Sequence, residues 1–281
     1  MGETTPITIQ SDSKFKKLIR AYKLELGMAA ILVVMYIILH LVTGTALKGS
    51  NLRNVLQASA PLLIMTMGQL IVVITGGIDL SVGSIYSLSG MCGVLVMLRS
   101  ESIAAGVLVA LLVGIACGLI NGVLVAKVKM APFIVTLAMQ GAAASLTKII
   151  AGGNSQTVTL QAFKAFNRGE IIPGVRNYMI YMVIIVILMY LLLRKTVFGR
   201  WIYATGSNEE ASRLVGIPVD RVKIICYTMS GFLSAVAALL GASRLMNVEV
   251  TSGVGMELDA IAAACIGGAS LSGGMARPLA P

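Results

Sequence analysis

Long apolar runs alternate with short polar stretches along nearly the whole chain. The runs fall at roughly 25–46, 55–75, 80–98, 103–126, 132–150, 178–193, 224–243 and 258–271. Most approach the roughly 20 residues that an α-helix needs to cross the hydrocarbon core of a bilayer. The pattern therefore predicts an all-α fold, a polytopic transmembrane helical bundle of about eight spans. Pro132 opens the fifth run, where its fixed φ suits a first helical turn. Three polar segments punctuate the rest: 151–177, with turn signals at Gly152-Gly153-Asn154 and Pro173-Gly174, then 194–223, then 244–257.

Composition narrows this further. The chain is 57% hydrophobic and only 12% charged, against about 25% charged in soluble domains. A net charge of +10 could point to nucleic acid. The basic residues, however, sit in the short segments between apolar runs, as the positive-inside rule produces. Lys14, Lys16, Lys17, Arg20 and Lys23 place the segment 1–24 in the cytoplasm. Counting spans from there puts Lys127, Lys129, the loop 194–223 and Arg277 on the same side. The first apolar run is longer than the core of a cleavable signal peptide, about 7–15 residues, and reads as a retained anchor. Cys92, Cys117, Cys226 and Cys265 lie in apolar segments without disulfide or metal spacing, and read as small buried hydrophobes. No cofactor is expected. His40, the one histidine, reads as a residue at an outer helix end.

One carboxylate interrupts the oil. In "VVITGGIDLSVGS" an apolar run stops at Gly76-Gly77, Asp79 appears, and the apolar pattern resumes. Gly77 suits a left-handed helix end and Asp79 an N-cap for the next helix, with Ser81 and Ser84 in its first turns. A second reading stands beside the first: polar groups near membrane depth are costly unless they face protein or water, so the break lines a pathway. The stretch "GMELDAIAAACIGGASLSGG" looks loosely similar, with Asp259 at a helix start, and suggests an internal repeat.

The segment "ATGSNEEASRLVGIPVDRVK" predicts a two-turn helix. Ser207 or Asn208 caps it, Glu209 and Glu210 suit the dipole, Gly216 ends it and Pro218 forbids continuation. Isolated helices under about 12–15 residues are marginal in water. Ala211, Leu214 and Val215 form one small apolar face. That face either docks in a partner's groove or packs back on its own chain.

Four stretches, "GQLIVVITGGIDLSVGS", "APFIVTLAM", "FGRWIYATGSNEEASRLVGIPV" and "ELDAIAAACIGGASLSGG", closely resemble the ribose-type sugar permeases of ABC importers, within the branched-chain amino acid and ribose permease superfamily. The resemblance runs from about residue 25 to 274. It implies a non-enzymatic membrane subunit of the bacterial cytoplasmic (inner) membrane. It also implies partners: a cytoplasmic ABC ATPase, a periplasmic or lipid-anchored sugar-binding protein, and a second permease subunit. The family fold has about ten spans with an internal inverted repeat. On this resemblance 25–275 is the permease domain and 194–223 its coupling loop. Gly206, Asn208, Glu209, Glu210, Ala211, Leu214 and Gly216 then form the helix that docks in the ATPase. Gln69, Asp79, Ser81, Asn121 and Gln140 are the polar groups expected along the translocation pathway, with hydrogen bonding between helices as the alternative for Asn121 and Gln140.

"LSGG", Leu271 to Gly274, also matches the start of an ATPase signature, but the chain has no phosphate loop G-x-x-x-x-G-K-[ST]. It therefore reads as a small-residue stretch where helices approach closely. The resemblance implies about two more spans beyond it. Here the chain turns to "MARPLAP", so 276–281 reads as an atypical tail of a truncated chain. Rival functions are a branched-chain amino acid or nucleoside permease and an ion-coupled carrier. The carrier needs acidic groups buried mid-span, whereas Asp79, Glu257 and Asp259 are expected at span ends. No H-E-x-x-H or G-x-S-x-G motif suggests an intramembrane enzyme.

Overall fold

The computed structural model describes residues 23–276. The basic N-terminal segment up to Tyr22, Arg277 and the rest of the tail lie outside the described residues. The chain divides into two compact units, 1–52 and 53–281.

In the first unit, α1 (Lys23–Thr43) is apolar all round, as a helix solvated by lipid must be. Its end is closed locally. Gly44 takes the left-handed conformation and its N–H bonds the His40 carbonyl at 2.7 Å. The Leu47 N–H donates to His40 Nδ1 at 3.3 Å, so the histidine sits at a helix end as expected. The helix α2 (Gly49–Ile74) starts here and continues into the second unit.

The second unit holds the remaining long helices: α3 (Val82–Ser100), α4 (Ile103–Ala126), α5 (Pro132–Ala151), α7 (Asn177–Lys195) and α10 (Val219–Leu245). With α1 and α2 they make seven helices long and apolar enough to cross a membrane among the described residues. The eighth expected run departs from this. It forms α11 (Met256–Ile266), whose 11 residues rise only about 16 Å at 1.5 Å each. Gly267 and Gly268 stop it, with the Gly268 φ at +94°.

The expected polar segment 151–177 is more structured than its composition suggested. It contains β1 (Gln156–Thr157), a 3₁₀ turn (Gln161–Phe163) and α6 (Lys164–Arg168). β1 pairs antiparallel with β2 (Asn247–Val248), Gln156 opposite Val248. Asn167, fully buried, ties this segment to the end of α10: its Nδ2 donates to the Leu240 carbonyl at 3.1 Å and its N–H to Ser243 Oγ at 3.1 Å.

The centre of the unit is a seam between α4 and α10. Gly114, Gly118 and Gly122, four residues apart, lie on one face of α4. A Cβ on Gly114 would strike the Gly231 carbonyl, one on Gly118 the Tyr227 carbonyl, and one on Gly122 would come within 2.8 Å of the Ile224 Cα. The register runs antiparallel, and about two turns before Gly114 Gly106 meets Gly93 of α3 in the same way. In lipid the hydrophobic effect does not hold helices together, so close van der Waals packing at small residues must. The period of four among these glycines is visible in the sequence.

Gly118→Leu should therefore overpack the seam, costing about 1–3 kcal/mol, and lower the melting temperature and membrane yield of the detergent-purified chain. Gly141→Ala is the control, because nothing lies within 4 Å of a Cβ there, and it should melt as the wild type does.

Candidate functional site

The first break in the helical pattern lies between α2 and α3. Gly76, with φ at +79°, takes the left-handed position expected of Gly77. Gly77 instead passes under the Tyr227 hydroxyl, which leaves no room for a Cβ. The non-helical backbone that follows is held by side chains. With its amide assigned the orientation that satisfies both neighbours, Gln69 brackets Asp79, its nitrogen on the Asp79 carbonyl at 3.1 Å and its oxygen on the Asp79 N–H at 3.2 Å. Thr136 Oγ1 lies 3.3 Å from the Ile78 carbonyl and shares its single proton between it and the nearer Pro132 carbonyl at 2.9 Å. Backbone that leaves a helix at membrane depth is tolerated only with such substitutes.

The Asp79 carboxylate is the hub. One oxygen accepts from the Ser81 N–H at 3.0 Å and the Ser81 hydroxyl at 2.6 Å; the other accepts from Ser230 Oγ of α10 at 3.0 Å. Asn121 Nδ2 of α4 donates to Ser81 Oγ at 2.8 Å. Asp79 thus does not occupy the N-cap position predicted for it. Ser81 does, making no side-chain cap bond of its own. The reason is that the carboxylate spans two residues forward and also reaches across to α10. Gln69, Asp79, Ser81 and Asn121 are all fully buried, and four of the five expected pathway residues form this one cluster.

The fifth, Gln140, belongs to a second break. After β2 the chain turns back along α3, where the Gly253 N–H donates to Ser87 Oγ at 2.9 Å. Gly255, at φ +87°, then starts α11. Glu257, in the first turn, is buried. Its Oε1 accepts from Gln140 Nε2 at 2.9 Å and from the Gly255 N–H at 3.3 Å, while Oε2 has no hydrogen-bond partner. The first turns of α3 and α11 meet here, since a Cβ on Gly83 would strike both the Gly253 carbonyl and Glu257 Oε2. Ser230 lies near the middle of α10 and Gln140 near the middle of α5. Each break therefore lies against the middle of a long helix, the first on α10 and the second on α5. The internal likeness aligned Asp259 with Asp79, but Asp259 is exposed and lies inside α11. Glu257 is the buried acid, placed by sequence only at a span end.

The loop 194–223 carries α8 (Val197–Ser207) and α9 (Glu209–Leu214). Thr196 Oγ1 caps α8 by accepting from the Gly199 N–H at 3.0 Å. Asn208 Oδ1 caps α9 from the Ala211 N–H at 2.9 Å, and Gly216, φ +83°, ends it. Gly206 is packed between the Ile74 carbonyl and Gly274, and the Gly274 N–H bonds that same carbonyl at 2.9 Å. The "LSGG" stretch thus seats as a close-approach element at the end of α2. Leu214 is 89% and Val215 76% exposed, and Ala211 and Glu210 are exposed as well. The small apolar face of α9 is unpacked in this chain.

What holds α9 is charge. Arg213 pairs with Glu209 at 2.9 Å and with Asp220; Lys223 pairs with Glu209; Lys129 and Lys127 reach Asp220 at 2.8 and 3.4 Å. Partial burial pushes the Glu209 carboxyl up, but the hydrogen bonds from Lys223 and Arg213 outweigh it and hold its pKa below the usual glutamate value. Single exposed pairs contribute little, whereas a network fixes geometry. This one joins α9 to the α4–α5 turn and to the start of α10.

The probable ABC transporter permease protein y4mJ of Sinorhizobium fredii is 43% identical over 257 residues, covering 92% of this chain and 77% of that protein. The ribose import permease protein RbsC of Bacillus subtilis is 39% identical over 255 residues, 90% of this chain and 79% of its own length. The fructose import permease protein FruF of Bifidobacterium longum is 40% identical over 228 residues, 79% of this chain and 64% of its own. No solved structure matches. Residues 51–278 match the family described as the permease component of the branched-chain amino acid transport system. Seven long apolar helices among the described residues, with two breaks around buried carboxylates, thus accompany a match over most of the chain, and the chain belongs to that permease family.

Proposed function

We propose that this chain is the membrane-spanning subunit of an ATP-driven monosaccharide importer in a bacterial cytoplasmic membrane. The sugar class rests on the ribose and fructose import permeases among its relatives. The cytoplasmic placement of the N-terminus rests on the basic residues of 127–129 and 194–223. A separate cytoplasmic ATPase hydrolyses the nucleotide, a binding protein delivers the sugar from the other side, and a second permease subunit completes the pathway.

The observation that carries this reading is α9. A six-residue helix far below the length that is stable alone is capped at both ends and braced by ion pairs, yet presents Leu214 and Val215 to water. Apolar groups fixed outward on a rigid support suit a groove on a partner. Movement of the ATPases then bears on α9. Its ion-pair network passes the load to α4, α5 and α10, whose buried faces hold Asn121, Gln140 and Ser230. Gln69, Asp79, Ser81 and Asn121 hold the first break in place along the route, and Gln140 with Glu257 supplies the polar contact at its centre. The family description favours an amino acid as the competing cargo, so uptake of labelled D-ribose, D-fructose and L-leucine by cells with and without the chain separates the two.

Leu214→Glu combined with Val215→Glu should abolish co-purification of the ATPase and reduce uptake more than tenfold, equivalent to about 1.4 kcal/mol or more. The melting temperature of the purified chain should not change. Normal uptake by this variant would remove the docking proposal. Asn208→Ala should act through the cap, worth about 0.5–2 kcal/mol, and weaken coupling without abolishing it.

Asp79→Ala should leave Ser81 and Ser230 without their acceptor and lower both melting temperature and uptake. Asp79→Asn keeps one acceptor oxygen and should retain most of each. Equal loss in both variants would mean that the charge itself is required.

A further inference from the structure

Away from the two breaks, the chain holds a cavity with a few polar groups in its walls. It lies between α3, the end of α10 and the strand-and-turn segment after it, with a volume of about 190 Å³. Tyr86, Gly90, Gly241, Asn247, Glu249 and Ser252 are among its walls. That volume is smaller than the roughly 300–1,000 Å³ of clefts for drug-sized ligands, which limits an occupant to a molecule of about one sugar ring.

Its polar groups are uncommitted. Asn247 Oδ1 is buried and has no hydrogen-bond partner. Buried amide oxygens are nearly always satisfied, so an orphan asks for an explanation. Among the described residues the Tyr86 hydroxyl and the Glu249 carboxylate make no hydrogen bond or ion pair. Ser252 Oγ accepts from the Glu249 N–H at 2.9 Å and keeps its own proton to donate. Gly241 makes the arrangement possible, because a Cβ there would collide with the Tyr86 hydroxyl. The phenol ring can lie against α10 and leave the cavity open.

We infer that this cavity is a docking site for one neutral monosaccharide on its way to the mid-span junction; the inference rests on the sugar reading above. A sugar offers vicinal hydroxyls, each donor and acceptor, and apolar C–H faces. A carboxylate, a carboxamide, a phenol and a hydroxyl match the first. Leu245, Val248 and the Tyr86 ring match the second. An amino acid fits worse: Glu249 could meet its ammonium, but none of the lining residues is basic to meet its carboxylate. Position agrees as well. The segment that carries Asn247, Glu249 and Ser252 continues through Gly253, bonded to Ser87, to Glu257 and its contact with Gln140.

The test is thiol protection in membranes containing the full chain. A Ser252→Cys reporter is labelled with N-ethylmaleimide, and Leu245→Cys on the rim serves as a second reporter if the first fails to fold; chains without either reporter give the background of the native cysteines. A site of millimolar affinity is largely filled by D-ribose, D-fructose or L-arabinose at about 50 mM. One of these sugars should slow labelling about threefold or more, while betaine at equal osmolality should not. Adding Asn247→Ala should remove the protection without changing the unprotected rate. Labelling that is equally fast with every sugar overturns the docking site, and if labelled sugar is still taken up through the same chain, the importer reading stands without it. Protection by L-leucine alone, with no sugar uptake, overturns both.

Discussion

A polypeptide that leaves the helical path inside a bilayer must replace each hydrogen bond it gives up, because lipid offers none. The two mid-span breaks in this chain are governed by that constraint. At the first, a carboxamide, a threonine hydroxyl and a carboxylate take over from the helix, and the carboxylate is in turn held by hydroxyls from two elements. The polar residues there are numerous because the backbone needs them. At neither break is the replacement complete: Asn121 Oδ1 and the Tyr227 hydroxyl at the first, and one Glu257 oxygen at the second, are buried without a partner.

The glycine seam supplies the complementary constraint. Where side chains are absent, α4 and α10 touch backbone to backbone, and the buried polar groups of each are set at fixed heights. Asn121 and Ser230 reach the first break because the glycines on their helices admit this approach. Packing and polar satisfaction are therefore one problem here, solved by placing small residues beside the polar ones.

Much of this was legible in the sequence, for reasons that differ by element. The long helices were plain because lipid demands length and apolarity, and those leave a pattern. The capped helix α9 was legible down to Asn208 and Gly216, because caps depend on residues a turn away. What depended on distant partners was not legible. The left-handed residue shifted from Gly77 to Gly76 because Tyr227 of α10 crowds the later position. Asp79 gave up the N-cap position because Ser230, 151 residues onward, shares its carboxylate. Glu257 looked like a helix-end charge until Gln140 was seen opposite it. The last apolar run read as a span because periodicity does not distinguish a short half-helix followed by turns from a full crossing. The four-residue glycine period on α4, by contrast, was present to be read.

The ion pairs around α9 have a mechanical corollary. Asp220 is gripped by residues from the α4–α5 turn and from α9, while Glu209 is gripped from within α9 and from α10. Such a fastening transmits tension in any direction yet can be unlatched by counter-ions, since exposed pairs are screened over about 10 Å at moderate salt. Together with the backbone seam, which no electrolyte loosens, it gives the molecule a stiff mast and a detachable rigging. Ionic strength would then act as a clutch between the two, slackening force transfer while the membrane body keeps its form.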